Sequence, residues 1–175
     1  MDTVFDHHHT ATDLWSIALH QAGHATVASR LGLPVLSIDI RGGSDGLDGW
    51  CRVDYSRARP SGWVTVLMSG WAAEEAISGA RAESRPHVGS ETDVIAEALA
   101  KVSAGERQLL IATATQQAQR LVRLHRGVVI GLAQVLLDEA VMTGSEWDTV
   151  IIRLDGERLF EALGDAATAI LRKAI

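Results

Sequence analysis

The sequence predicts a mainly helical α+β fold, in which a small N-terminal β-hairpin or sheet packs against a helical bundle. Three observations predict it. Apolar residues recur at spacings of three and four from Ser61 to the C-terminus, strict alternation is confined to residues 34–56, and there are only three prolines in 175 residues to interrupt helices. With 47% hydrophobic and 22% charged residues the chain can bury one substantial core. Its length favours one domain over two small ones, here residues 13–175 behind a flexible leader, residues 1–12.

The elements follow in order. Thr12 or Asp13 can cap a helix through "LWSIALHQAGHATVASRL", which Gly32 and Pro34 stop. "PVLSIDIR" alternates as a strand, with Leu36, Ile38 and Ile40 on one face and Ser37, Asp39 and Arg41 on the other. "GGSDGLDG" is rich in turn formers, and "WCRVDYS" alternates again, so residues 34–56 read as a hairpin with a long connection. "GWVTVLMSGWAAEEAISG" has helical spacing and Gly79 at its C-terminal end. "ARAESRPHVG" reads as a loop, and Ser90 can cap a helix over "ETDVIAEALAKVS". Helices are expected over "ERQLLIATATQQAQRLVRLH" and "VVIGLAQVLLDEAVM". The capping-box spacing of Thr143 and Glu146 opens a short helix to Leu154, and an amphipathic helix from Gly156 closes the chain.

Composition excludes several function classes. A net charge of −6 with scattered Lys and Arg offers no field for phosphates, which argues against nucleic acid as a partner. No apolar run approaches the roughly 20 residues that span a bilayer, and "MDTVFDHHHTATD" lacks the basic start and apolar stretch of a secretory signal. The single cysteine, Cys51, cannot form an internal disulfide, which suits a reducing compartment and a cytoplasmic location. The adjacent His7, His8 and His9 point in different directions and read as a polar leader before they read as a metal site.

The stretch carrying chemistry is "HQAGH". His20 and His24, four apart on a helix, lie one turn above each other on one face and can reach the same ion through neutral imidazole nitrogens. In an H-E-x-x-H zinc peptidase the residue after the first histidine is the glutamate that takes a proton from the attacking water. Here it is Gln21, whose amide can accept a hydrogen bond and has no useful basicity. The same spacing also suits two core histidines bonded to backbone carbonyls.

"ALHQAGHATVASRLGLPVLSIDIRG" resembles the start of the peptidase domain of the FtsH-type ATP-dependent zinc metalloproteases, with Gly23 and Ala25 matching as well as the histidines. "LMSGWAAEEAISG" supplies that family's alanine-glutamate-glutamate helix as Ala73, Glu74 and Glu75 after Gly70, and "VGSETDVIAEAL" supplies its glycine-x-x-x-aspartate as Gly89 and Asp93. "ATQQAQRLVRLHRGVVIGLAQVLLDEAVMTGSEWDTVI" is similar to its closing helices, so the resemblance runs from about residue 14 to about 153. Gln21 departs from the family pattern, and so does Ser69-Gly70-Trp71, which stands where glycine-glycine-arginine is usual.

The resemblance implies a zincin-like metallopeptidase fold and Zn²⁺ held by His20, His24 and Asp93, with a fourth position open. It implies a peptide or unfolded protein as substrate, and a separate AAA+ ATPase or self-association to present it. Gln21 then stands at the position of the general base, so catalysis is impaired. A pseudo-peptidase that binds peptides or proteins without cleaving them is the alternative. A substituted glutamate and natural divergence give the same glutamine, and Trp71 favours divergence. The individual residues keep rival readings. Asp93, three after Ser90, is also placed to favour a helix N-terminus. Glu74 and Glu75 either form a solvated helix face or orient a ligand histidine. His87 is a surface loop histidine or a substitute ligand. Trp50 and its strand form a core cover, or an edge on which an extended peptide adds as a further strand.

Overall fold

A computed structural model describes residues 11–41, 49–79, 94–96 and 99–173. It is a mainly helical α+β fold. The order of elements is α1 (Ala11–Arg30), β1 (Val35–Asp39), β2 (Trp50–Val53), α2 (Pro60–Ser78), α3 (Ala104–Leu124), α4 (Arg126–Glu139), β3 (Val141–Thr143) and α5 (Gly144–Lys173). Residues 94–96 are also helical. The expected leader up to Thr10, most of the connection between the strands, the loop with His87, and Ser90 and Asp93 lie outside the described residues.

α1 is the hub of the core. Ile17, Ala18, Leu19, Ala22, Ala25, Val27 and Ala28 are all buried, and the helix packs against α2, α3, α4 and the sheet. Small residues make this possible, because a helix buried on several sides must let its neighbours approach closely. A Cβ added at Gly23 would lie 2.8 Å from Ala73 Cβ of α2, so α1 and α2 touch nearly backbone to backbone there. Thr12 and Asp13, expected as caps, lie inside α1, which starts at Ala11. Capping preference is worth only about 1 kcal/mol, and a well-packed helix overrides it. The predicted stop holds: Gly32 takes a positive φ of 71°, and Leu33 N–H returns to Ala28 O at 2.9 Å.

The sheet is antiparallel in the order β2-β1-β3. The expected hairpin is present, with Ile38 opposite Cys51 and Asp39 opposite Trp50. Its strict alternation fails at one place. A register shift between Val35 and Ser37 buries Val35 and leaves Leu36 51% exposed, although Ile38 and Ile40 are buried as expected. At Gly49 (φ 86°), a Cβ would run into the backbone of Asp39 and Ile40, so only glycine lets the chain enter β2 so close to β1.

The third strand is a correction. Residues 141–142 were expected to end the helix of α4, but Ala140 takes φ 59° and Val141–Thr143 pairs with β1, Met142 opposite Ile38. Three residues carry too little periodicity to announce a strand, and pairing with β1 decides it. α5 is a second correction. It runs unbroken through Gly156, where two helices were expected. One helical glycine costs about 1 kcal/mol, less than the packing of Leu154, which is buried in the notch at Gly131, where an added Cβ would lie 2.7 Å from its Cδ2. The Thr143–Glu146 capping box is present, with Thr143 N–H and hydroxyl both 2.7 Å from Glu146 Oε2; these bonds hold the carboxyl below its usual range. A Ser103–Glu106 box opens α3 in the same way.

Where α1, α3, α4 and α5 meet, Arg30 grips Asp155 through two bonds of 2.8 and 2.5 Å, and Arg158 Nη1 lies 3.3 Å from His125 Nδ1. Burial, then the charges of Arg30 and Arg158, lower the His125 pKa from 6.5 against the opposing pull of Asp155. The folded state therefore favours neutral His125. Its contribution is complete above pH 6.5 and is lost as pH falls from there towards the lower folded pKa. The expected result is that wild type loses thermal stability over this window more steeply than His125→Gln, measured by melting midpoints in matched buffers.

Candidate functional site

His20 and His24 lie on the side of α1 that faces α2, their ring centroids 4.6 Å apart and their planes at 81°. Each ring is held through Nδ1. His24 Nδ1 is 2.7 Å from Val66 O, and a carbonyl only accepts, so Nδ1 carries the proton and Nε2 the lone pair. His20 Nδ1 is 2.5 Å from Glu74 Oε1, and Ser16 donates its hydroxyl to Glu74 Oε2 at 2.8 Å. As a carboxylate Glu74 accepts both bonds, which gives His20 the same tautomer.

Glu74 is buried at 2% exposure. An unpaired carboxylate there would cost several kcal/mol, and charge-assisted hydrogen bonds at about 1.5–3 kcal/mol each offset that cost. The arrangement is thus a braced pair in which Glu74 is stabilised by the two groups it orients. α2 supplies both braces, Val66 and Glu74, eight positions apart on one face. Ser69 of the same helix donates to Val66 O at 2.5 Å and sits 3.5 Å from His24 Nδ1. Gly70 makes room for His20: a Cβ there would lie within 2.6 Å of Nε2, Cδ2 and Cε1 alike. Such near-equal distances place Gly70 over the face of the ring, not in line with the Nε2 lone pair.

Gln21 is also buried, at 6% exposure, and its Oε1 has no hydrogen-bond partner among the described residues. Leaving such a group unsatisfied costs about 1–3 kcal/mol, so it marks a place where a donor fits.

The expected site residues thus fall into four groups. His20, His24 and Glu74 are on the α1–α2 contact, and Gln21 is buried on α1 beside His20 in sequence. Glu75, 100° further round the helix, is exposed and takes no part in bracing His20. Trp50 begins β2, an outer strand of the sheet among the described residues that packs beside α1, and it is 36% exposed. Asp93 and His87 lie outside the described residues, among which no three His, Cys, Asp or Glu side chains cluster as a metal site. Ser16, Ser69 and the Val66 carbonyl were not anticipated. Ser16 had a legible signal, one helical turn before His20, whereas a backbone acceptor has none.

Cys51 plays no comparable part. Desolvation pushes its thiol up to about 12, which leaves it unreactive at neutral pH. Among the described residues no helix is long and apolar enough to cross a membrane. Comparison with known protein families gives no matching family model, and comparison with curated proteins gives no match.

Proposed function

We propose that the α1–α2 contact is a zinc site of the metallopeptidase type, similar to that of the FtsH-like proteases, with His20 and His24 as ligands and with catalysis impaired at Gln21. The observation that carries this reading is the paired bracing of the two histidines. Carboxylate and carbonyl acceptors on Nδ1 are the partners that metal-binding histidines use, and they direct Nε2 of each ring to the ligand role. Two histidines fit as part of the donor set, and Asp93 is the proposed third ligand. Zinc in such a site polarises a carbonyl and makes water nucleophilic.

What the chain's own residues contribute can be stated separately. Glu74 and Val66 fix ring orientation and tautomer. Gln21 Oε1 can accept a hydrogen bond from water or from a peptide N–H, but it cannot take up a proton and deliver it to a leaving amine. Such a site binds an extended peptide or unfolded protein far better than it hydrolyses one. The β2 edge at Trp50 is the proposed seat for that peptide, and a separate AAA+ ATPase would deliver folded substrates. A pseudo-peptidase that only binds is the second reading, and the buried Gln21 oxygen, without a hydrogen-bond partner among the described residues, supports it.

Metal content tests the site. Protein purified without chelator is expected to carry about one zinc per chain by mass spectrometric metal analysis, and to regain one after chelation and dialysis against zinc. A chain that neither carries nor regains zinc is not a metal protein of this class.

A further inference from the structure

Helix α5 is clamped to the body at Asp155, whose carboxylate Arg30 at the end of α1 holds through two bonds of 2.8 and 2.5 Å. Beyond this clamp, Gly156, Glu157, Leu159, Phe160 and Ala162 are exposed, and among the described side chains Arg158 alone turns back to the body. Its stem lies on α4, where a Cβ added at Gly127 would be 3.6 Å from Cδ, and its Nη1 is 3.3 Å from His125 Nδ1. A guanidinium only donates, so Nδ1 offers the lone pair and the proton of the neutral ring is on Nε2. The bond therefore exists only while His125 is neutral. A second proton would enter at Nδ1 and aim an N–H at a cation. The imidazole is the fixed partner in this contact. His125 closes α3, its N–H bonded to Leu121 O at 2.9 Å, and opens α4, its carbonyl accepting Val129 N–H at 3.1 Å.

We propose that His125 and Arg158 form a proton-operated latch: neutral His125 holds residues 156–162 of α5 against the corner between α3 and α4, and protonation releases them while Asp155 stays clamped. The charges around the ring support this. The charged groups that face it are Arg30 from α1 and Asp155 and Arg158 from α5, and Asp155 is already engaged by Arg30. On the corner itself Arg123 is turned to Gln119 O and Arg126 is exposed. Protonation thus adds a third cation where two arginines share one carboxylate. Burial and the two arginines already lower the His125 pKa, so the latched form resists the proton, and by linkage the bound proton favours release. The segment is held above pH 6.5 and is let go as pH falls from there towards the lower folded value. Gly156 lies between clamp and latch, and a helical glycine weakens its helix by about 1 kcal/mol, so α5 yields there first. The latch does not rest on the zinc reading.

Hydrogen exchange of the full chain, followed by mass spectrometry at about pH 7.5 and about pH 5 and corrected for intrinsic exchange rates, tests this. Peptides covering residues 156–162 are expected to lose protection about 10-fold at the lower pH, the effect of giving up one hydrogen bond to a charged group, while residues 147–154 and α1 keep theirs. His125→Gln, whose amide oxygen accepts from Arg158 and does not titrate, should keep the segment protected at both pH values. Arg158→Ala should leave it weakly protected at both, and should move the His125 titration, read from its ring-proton resonances, up towards 6.5. Wild-type protection of residues 156–162 that is the same at both pH values overturns the proposal. So does a His125→Gln chain that loses as much as wild type, because a carboxylate would then be the sensor. A loss shared equally by residues 147–154 overturns it as general unfolding, and a His125 titration unmoved by Arg158→Ala shows that the two groups are not coupled.

Discussion

Gln21→Glu is expected to raise cleavage of an unfolded substrate such as casein by about 10²- to 10⁴-fold over the chain as it stands, the range that a positioned general base contributes. The geometry favours a large effect. Gln21 is already buried, one residue after His20 on α1, and its Oε1 makes no competing hydrogen bond among the described residues. Glutamate is isosteric, so the new carboxylate enters a position that needs no rearrangement. The same burial makes a second expectation. Without metal, an uncompensated carboxylate should lower the melting midpoint, since a buried charge costs several kcal/mol, and zinc should recover more of that loss in the variant than in wild type. A variant that binds zinc, melts as described and still cleaves nothing would end the impaired-peptidase reading and leave the binding module.

The part of this site that lies on one helix was legible, because fixed periodicity converts spacing into geometry. His20 and His24 share a face as their separation of four requires. The contribution of α2 was legible only in part. Two adjacent glutamates were equivalent in sequence, and it took the packing of α2 on α1 to bury Glu74 and leave Glu75 exposed. Gly70 shows the limit from another direction. Its residue type signals close approach, but what approaches is a histidine ring from 50 positions earlier.

The fold divides in the same manner. Gly32, Gly79 and the Thr143–Glu146 box act where the sequence put them, because caps and turns are local. Leu36 and Val35 exchange roles at a bulge, and β3 exists because β1 has an edge to fill, so neither is written in its own segment. α5 combines both cases. Gly156 suggested a break, yet Leu154 on Gly131 and the ion pair of Asp155 with Arg30 carry the helix through it. Propensity yields to packing wherever the packing is worth more than about 1 kcal/mol.

Substitutions at Glu74 should separate a brace from a mere core residue. Removing a hydrogen-bonded partner of a ligand histidine typically costs 10- to 100-fold in metal affinity. Glu74→Gln keeps an acceptor within reach of His20 Nδ1 and loses only the charge, so zinc affinity measured by competition with a chromophoric chelator should fall about 10-fold, near the low end of that range. Glu74→Ala removes acceptor and charge together, leaves the Ser16 hydroxyl and His20 Nδ1–H without their partner, and should fall about 100-fold. Glu75→Gln, on the exposed face, should change nothing. His24→Ala removes a proposed ligand outright and should abolish stoichiometric zinc. The order His24→Ala, Glu74→Ala, Glu74→Gln, Glu75→Gln is the decisive reading. If Glu74→Ala lowers the melting midpoint while the folded fraction binds zinc as tightly as wild type, then Glu74 serves the α1–α2 packing alone, and His20 is a core histidine, not a ligand.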